Sequence, residues 1–291
     1  MSVWGGAIQG TFTLATPLLL ASLGETVVER AGVVNVGIEG MMLTGALAAV
    51  IGSWDTGSPL LGVGVAAVAG LALALLLALF AVRLNANQVV VGVVVNLLAL
   101  GLTGTLSRAL FGKQAAFLTV KALPTLFGGQ NLLTPLALGM VPLLWWWLRR
   151  TRRGLELRAC GEQPEAAEAA GVPVTRVRMA ALLFGGAMAG IAGAFLSVGD
   201  VPTFQEGMSA GKGFIALAIV TSGRWNPWGC LIAALLFGFV DELQILIQAQ
   251  GWNLPHDLLL ALPYVITVAI LMSGARWSQS PAALGRPYRR A

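Results

Sequence analysis

Asn35, Glu39, Asn96, Asp241 and Glu242 stand inside long apolar stretches, which makes them the residues most able to do chemistry. A carboxylate at the centre of a helix in lipid costs roughly 2.5–3.5 kcal/mol, so Glu39 must face protein or water. Asn35 lies four positions before it, on the same helical face. Gly32, Gly37, Gly40 and Gly45 surround the pair and permit close helix contact or a local break. Asp241, Gln244 and Gln248 share one face of "FGFVDELQILIQAQ", with Glu242 beside them. These groups can supply donors and acceptors along a route for a polar solute. They can equally form interhelical hydrogen bonds that hold a bundle together, each worth ~0.6 kcal/mol. Residue types alone leave both uses open.

Bond-making chemistry finds little support. The single histidine, His256, sits between Pro255 and Asp257 with no further metal ligands clustered near it. There is no G-x-S-x-G elbow, and no G-x-x-x-x-G-K-[ST] loop to cradle a nucleotide phosphate. The two cysteines, Cys160 and Cys230, are spaced for no zinc site, and both fall toward the cytoplasmic side, where a disulfide is not expected. No catalytic residue, metal or resident cofactor is expected.

The elements that must position these residues follow from composition. Of 291 residues, 57% are hydrophobic and 11% are charged, against about 25% charged in soluble domains. The solvent is therefore lipid, and the net charge of +5 is not read as a nucleic-acid signal. Crossing a hydrocarbon core takes roughly 20 apolar residues in a helix. Nine apolar segments can be drawn, at 8–23, 31–52, 60–82, 88–110, 132–148, 179–199, 208–222, 228–248 and 257–273. The expectation is an all-α polytopic membrane protein with about 8–10 transmembrane segments, forming one domain over 1–291. The seventh segment is short and interrupted by glycine, which suits a broken or re-entrant helix.

With the N-terminus outside and the spans alternating, all but Arg108, Lys113, Lys121 and Lys212 of the 18 basic residues fall inside. The excess of Lys and Arg in cytoplasmic loops then predicts N-out, C-in, provided that the seventh segment crosses. Trp145, Trp146, Trp147, Trp225, Trp228 and Trp277 lie at segment ends, where their rings are expected to anchor at the headgroups.

The one large inside loop, 149–178, contains "QPEAAEAAG". Pro164 suits the first helical position, and Glu165 and Glu168 favour the positive end of the helix dipole. Gly171 and Pro173 end the helix. About two turns of alanine-rich helix are marginal alone in water, so this is either an ordinary surface helix or one pressed into a partner's groove. Arg149–Arg153 are assigned to an anionic leaflet. Arg158, Arg176 and Arg178 are left between that role and pairing with acidic groups on a partner.

The segment "EAAEAAG" resembles the cytoplasmic EAA loop of ABC-importer permeases, with Glu165, Ala166, Ala167 and Gly171 at matching spacing. "ERAGVVNVGIEGMMLTGA", "NANQVVVGVVVNLLALGLTG", "AALLFGGAMAGIAGAFLSVGD" and "GKGFIALAIVTSGRWNPWGCLIAALLFG" are similar to permeases of the branched-chain amino acid, ribose and nucleoside importer group. Within that group they most resemble nucleoside permeases served by basic-membrane-protein-type binding lipoproteins. The similarity covers most of residues 20–275. One departure is that the longer loop pattern ending I-x-L-P is not reproduced.

The resemblance implies a coupling helix that docks on a separate ABC ATPase through Glu165, Ala166, Ala167, Glu168 and Gly171. It also implies a second, different permease chain, an extracytoplasmic lipoprotein, and ATP bound only by the partner. Residence would be in the bacterial plasma membrane, with nucleosides carried by alternating access. A simple sugar is the alternative cargo. A self-contained secondary transporter would instead show an internal repeat of spans, and none is visible. A non-transporting scaffold would leave the buried acids an unnecessary cost.

Overall fold

The computed structural model describes residues 3–112, 119–126, 129–249, 265 and 280–288. Apart from residue 265, the ninth apolar segment at 257–273 lies outside the described residues, as do His256, Lys113, Arg276, Trp277, Arg289 and Arg290. Among the described residues ten α-helices follow in chain order: α1 Val3–Arg30, α2 Ile38–Thr56, α3 Pro59–Ala78, α4 Gln88–Phe111, α5 Leu133–Arg150, α6 Arg152–Glu162, α7 Pro164–Ala169, α8 Val174–Ala194, α9 Lys212–Ser222 and α10 Pro227–Ala249. α3 and α8 run on as wider π-turns through Leu79–Arg83 and Phe195–Asp200. Among the described residues there is no strand, only an isolated bridge between Thr125 and Asn131.

Local chemistry sets many of the boundaries. Gly57, at φ 68°, closes α2 in the left-handed region. Pro59 then opens α3 at the position where its missing N–H costs nothing. The Asn87 side chain caps α4 by accepting from the Val89 and Val90 amides at 3.0 and 3.2 Å. Thr151 does the same for α6 through the Gly154 amide at 3.1 Å.

The core is a three-helix contact of α2, α3 and α8 made by glycines. A methyl group added at Gly45 would fall on the Gly190 backbone, and one added at Gly70 or Gly193 would meet the backbone of Gly186 or Met42. Small residues let backbones approach where lipid provides no hydrophobic drive between helices. The opposite surfaces are apolar. Val90, Val94, Leu97 and Leu98 of α4 and Ile232 and Phe239 of α10 are exposed, as a lipid-facing surface requires.

Among the described residues, five helical segments are long and apolar enough to cross a membrane: Gly5–Arg30, Pro59–Arg83, Gln88–Phe111, Val174–Asp200 and Pro227–Ala249. α2 carries Glu39 and Asp55 near its ends, and α5 closes on three tryptophans and two arginines, so both are less apolar than the drawn segments suggested. α9 has 11 residues, about 16 Å of helix and half a hydrocarbon core. It is a half-length helix, preceded by turns and bends over 201–211. The 198–202 stretch pairs with 119–126 beyond α4, through Val120 N–H to Pro202 O and Leu123 N–H to Val198 O. Just past the far end of α9, Arg30 Nε at the end of α1 donates to Trp225 O at 2.9 Å.

Two side chains depart from expectation. Trp225 is 3% exposed, not an interfacial anchor: its indole N–H donates to Glu29 on α1. Arg178 is 2% exposed and donates to the carbonyls of Ala31, Arg286 and Cys160 at 3.1, 3.0 and 3.2 Å. It is committed within the chain and cannot serve a leaflet or a partner.

Candidate translocation site

Between α1 and α2 the chain is not helical from Val33 to Asn35 and turns through Val36 and Gly37 before α2 starts. A break inside a membrane protein must have its freed backbone groups satisfied by protein, and here side chains from α1 and α4 do it. Glu25 Oε1 of α1 accepts from the Asn35 amide at 3.1 Å. Gln88 Oε1, at the start of α4, accepts from the Val34 amide at 2.9 Å. Asn96, eight residues further along α4, uses both ends of its amide. Its Oδ1 accepts from the Gly40 N–H at 2.8 Å, and its Nδ2 donates to Val36 O at 2.8 Å. Asn35 is fully buried and donates to Met41 Sδ at 3.5 Å. Gly92 is needed beside this clamp, because a Cβ there would meet Val36 and Gly37.

Glu39, in the first turn of α2, reaches the half-length helix. Its Oε1 accepts from the Gly211 amide at 2.8 Å and its Oε2 from the Gly213 amide at 2.6 Å. A carboxylate at a helix N-terminus satisfies amides that otherwise lack partners and complements the macrodipole. The break before α2 and the start of α9 are therefore one structure.

Lys212 lies between those two glycines and faces the carboxylates of Asp200 and Asp241 electrostatically. It opens onto a cavity of ≈ 380 Å³ whose lining includes Thr13, Phe195, Asp200, Gln205 and Glu206. Glu206 is bound outside by Arg108 at 2.9 Å. The carboxylate of Glu242 packs on Gly10 of α1. A larger cavity of ≈ 610 Å³ between α5, α6 and α8 is mostly apolar and contains none of these groups.

Of the residues singled out from sequence, Asn35, Glu39 and Asn96 are brought together around the break; Asp241 feels the charge of Lys212 but does not line the cavity. Sequence reasoning passed over Glu25, Gln88, Asp200 and Lys212. Glu25 and Glu29 stand one turn apart in an apolar helix, which was the available signal.

Glu165, Ala166 and Gly171 are exposed at α7, whereas Pro164 and Ala167 turn inward. Ala167 packs with Cys160 and Val174. Gly171 has φ +85°, the left-handed stop expected of it. The Cys160 thiol is pushed up to about 11, chiefly by burial, with Arg178 opposing. Both cysteines are free and buried, and no metal-binding cluster occurs among the described residues.

A lipid-facing helical bundle with a broken helix, a half-length helix and a polar cavity at their junction defines a multi-pass membrane protein built to admit a solute. The chain belongs to the branched-chain amino acid transport system / permease component family, whose pattern matches residues 7–271. It is 38% identical to the putative glucose ABC transporter permease protein TsgC13 of Haloferax volcanii, over 100% of this chain and 99% of that one. It is 32% identical to the guanosine ABC transporter permease protein NupQ of Bacillus subtilis, over 97% and 95%. With the nucleoside ABC transporter permease protein NupC of Lactococcus lactis the identity is 33%, over 94% and 93%. Each of these three organisms also holds a second such permease, which matches 77%, 81% or 83% of the chain. No solved structure matches.

Proposed function

We propose that this chain is one permease subunit of an ATP-driven importer of nucleosides in the bacterial plasma membrane, working by alternating access. The observation that carries the reading is α7. It is a short helix whose outward surface is Glu165, Ala166, Ala169 and Ala170, with nothing bulky on it, so a partner's groove can receive it closely. Glu165, Ala166 and Gly171 would meet the ATPase, and Ala167 and Glu168 seat the helix from behind. ATP would be held by that ATPase, and this chain would carry no cofactor and perform no bond chemistry.

The arginine-rich α5–α6 junction, Arg30, Arg224 and the 280–288 segment share one face, which supports an N-out, C-in orientation with 149–178 in the cytoplasm. The paired permeases in the relatives' organisms support a second, different permease chain, and the group's resemblance supports an external binding lipoprotein. The solute route runs through the cavity lined by Lys212 and Asp200, with Asp241 facing Lys212 from α10. Asn35, Glu39 and Asn96 shape it by fixing the break and the start of α9, and Glu242 borders it from α10.

A relative named for glucose, at 38% identity, makes a simple sugar the second reading. The test is uptake of labelled guanosine by vesicles carrying the assembled importer, with and without excess glucose. Uptake that needs a functional ATPase and resists glucose supports the nucleoside reading. Uptake blocked by glucose supports the sugar, and uptake unchanged on ATPase inactivation overturns both.

A further inference from the structure

Segment 280–288 returns to the membrane-embedded bundle at one place only within the described residues: the junction of α7 with the α1–α2 break. The Ala283 N–H donates to Gly161 O at 2.9 Å and the Ala282 N–H to Glu162 Oε2 at 3.2 Å, tying the segment to the end of α6. The Gly285 N–H donates to Gly32 O at 3.2 Å, tying it to the break. The Tyr288 hydroxyl donates to Glu168 of α7. Arg178 closes the arrangement from α8. One guanidinium spans Ala31 O, Cys160 O and Arg286 O and lies 5.8 Å from the Tyr288 ring centroid. A Cβ at Gly32 would meet Arg178 Nη2 at 2.8 Å, so the break passes close against this cation.

α7 has few other holds. Its buried side chains are Pro164 and Ala167, and the apolar cluster behind it consists of Cys160 and Val174 flanked by Ala159, Val172, Val177 and Tyr288. Gln163 precedes it in a non-helical conformation and Gly171 follows it at φ +85°, so both ends are joints. A push on such a helix would be absorbed at those joints unless something stiff connected it to the bundle, because coupling needs a contiguous packed or hydrogen-bonded path.

We infer that residues 280–288 are a strap that makes α7 move as one body with the α1–α2 break, through Tyr288–Glu168 at one end and Arg178–Arg286 and Gly285–Gly32 at the other. The break then leads through Glu39 to the start of α9 and the Lys212 cavity. Displacement of α7 thus reaches the solute route without passing through the joints. This rests on the reading of α7 as the ATPase-coupling helix.

The test uses the assembled importer, with its ATPase and second permease, in proteoliposomes. ATP hydrolysis and solute uptake are measured on the same preparation. Tyr288→Phe removes the hydroxyl and keeps the ring; Glu168→Gln keeps an acceptor; a chain ending at residue 279 removes the strap. The solute moved per ATP hydrolysed is expected to fall about fivefold in Tyr288→Phe, the worth of one such hydrogen bond, and further in the truncation. Glu168→Gln should retain coupling, and every complex should keep its ATPase. A Glu168→Cys/Tyr288→Cys pair should crosslink on oxidation.

Unchanged coupling in an assembled Tyr288→Phe complex and in the truncation overturns the strap. Loss of assembly in both does so as well, because the segment would then serve assembly. Should wild-type uptake prove independent of ATP, it is the reading of α7 that fails, and the crosslink still reports on the strap's geometry.

Discussion

The Glu39 carboxylate receives the Gly213 amide at 2.6 Å across 174 positions of sequence. An acid that appeared out of place in an apolar run thus caps a half-length helix from another part of the chain. The cost of taking the carboxylate out of water is offset because its two oxygens meet two amides that have no partners of their own.

Glu39→Ala should leave the Gly211 and Gly213 amides without an acceptor, at a cost of about 1–3 kcal/mol for each buried donor. Glu39→Gln keeps one acceptor and loses the charge, for about 1 kcal/mol. Thermal unfolding of the purified chain in detergent should rank wild type above Gln and Gln above Ala. Equal melting temperatures for all three would show that α9 does not depend on this cap.

The cavity mouth makes a different demand. Lys212→Ala removes the one cation that faces Asp200 and Asp241 among the described residues, and uptake should fall at least about tenfold while assembly persists, as loss of a partly buried charge partner allows. Asp241→Asn in that background should restore part of the loss, because it removes the unpaired charge. Two strictly additive effects on uptake would show that Lys212 and Asp241 act separately.

Gly45→Ala and Gly190→Ala each place a Cβ onto backbone and should destabilise by about 1–3 kcal/mol through overpacking. Gly64→Ala is the control. It lies in α3 with nothing within 4 Å, and alanine should gain up to about 1 kcal/mol of helix propensity there. Expression yield and melting temperature should separate the first two from the third.

Cys160 gives a pH signature. Its thiol is pushed up to about 11 from an ordinary value of 9.0, so the folded chain holds this proton where the unfolded chain releases it. Stability is unaffected below about pH 9 and falls as pH rises from 9 toward 11. Maleimide labelling at neutral pH should be slow, because the thiolate is the nucleophile. Cys160→Ser should remove the Cys160 part of the alkaline loss, measured as the wild-type minus variant stability against pH. Rapid labelling of the native chain at pH 7 would contradict the burial.

The all-helical apolar character and the limits of α7 were legible in sequence, because each depends on neighbours within a few positions; of the nine drawn segments, five among the described residues are long and apolar enough to cross. Pro164 and Gly171 mark a helix start and stop whatever surrounds them. The family was legible for a related reason: short motifs survive as strings. The roles of the buried polar residues were not. Asn96 clamps Val36 O and Gly40 N, and Glu39 caps Gly211 and Gly213. Their partners are backbone groups, which every residue carries and no letter announces. Trp225 and Arg178 look like surface anchors by type and position, yet the tertiary fold turns both inward, toward Glu29 and toward three carbonyls. Composition and local pattern determined which solvent the chain lives in and where it can cross. Only the assembled fold decided which polar groups meet, because in lipid each must find its partner within protein, and that partner stands far away in sequence.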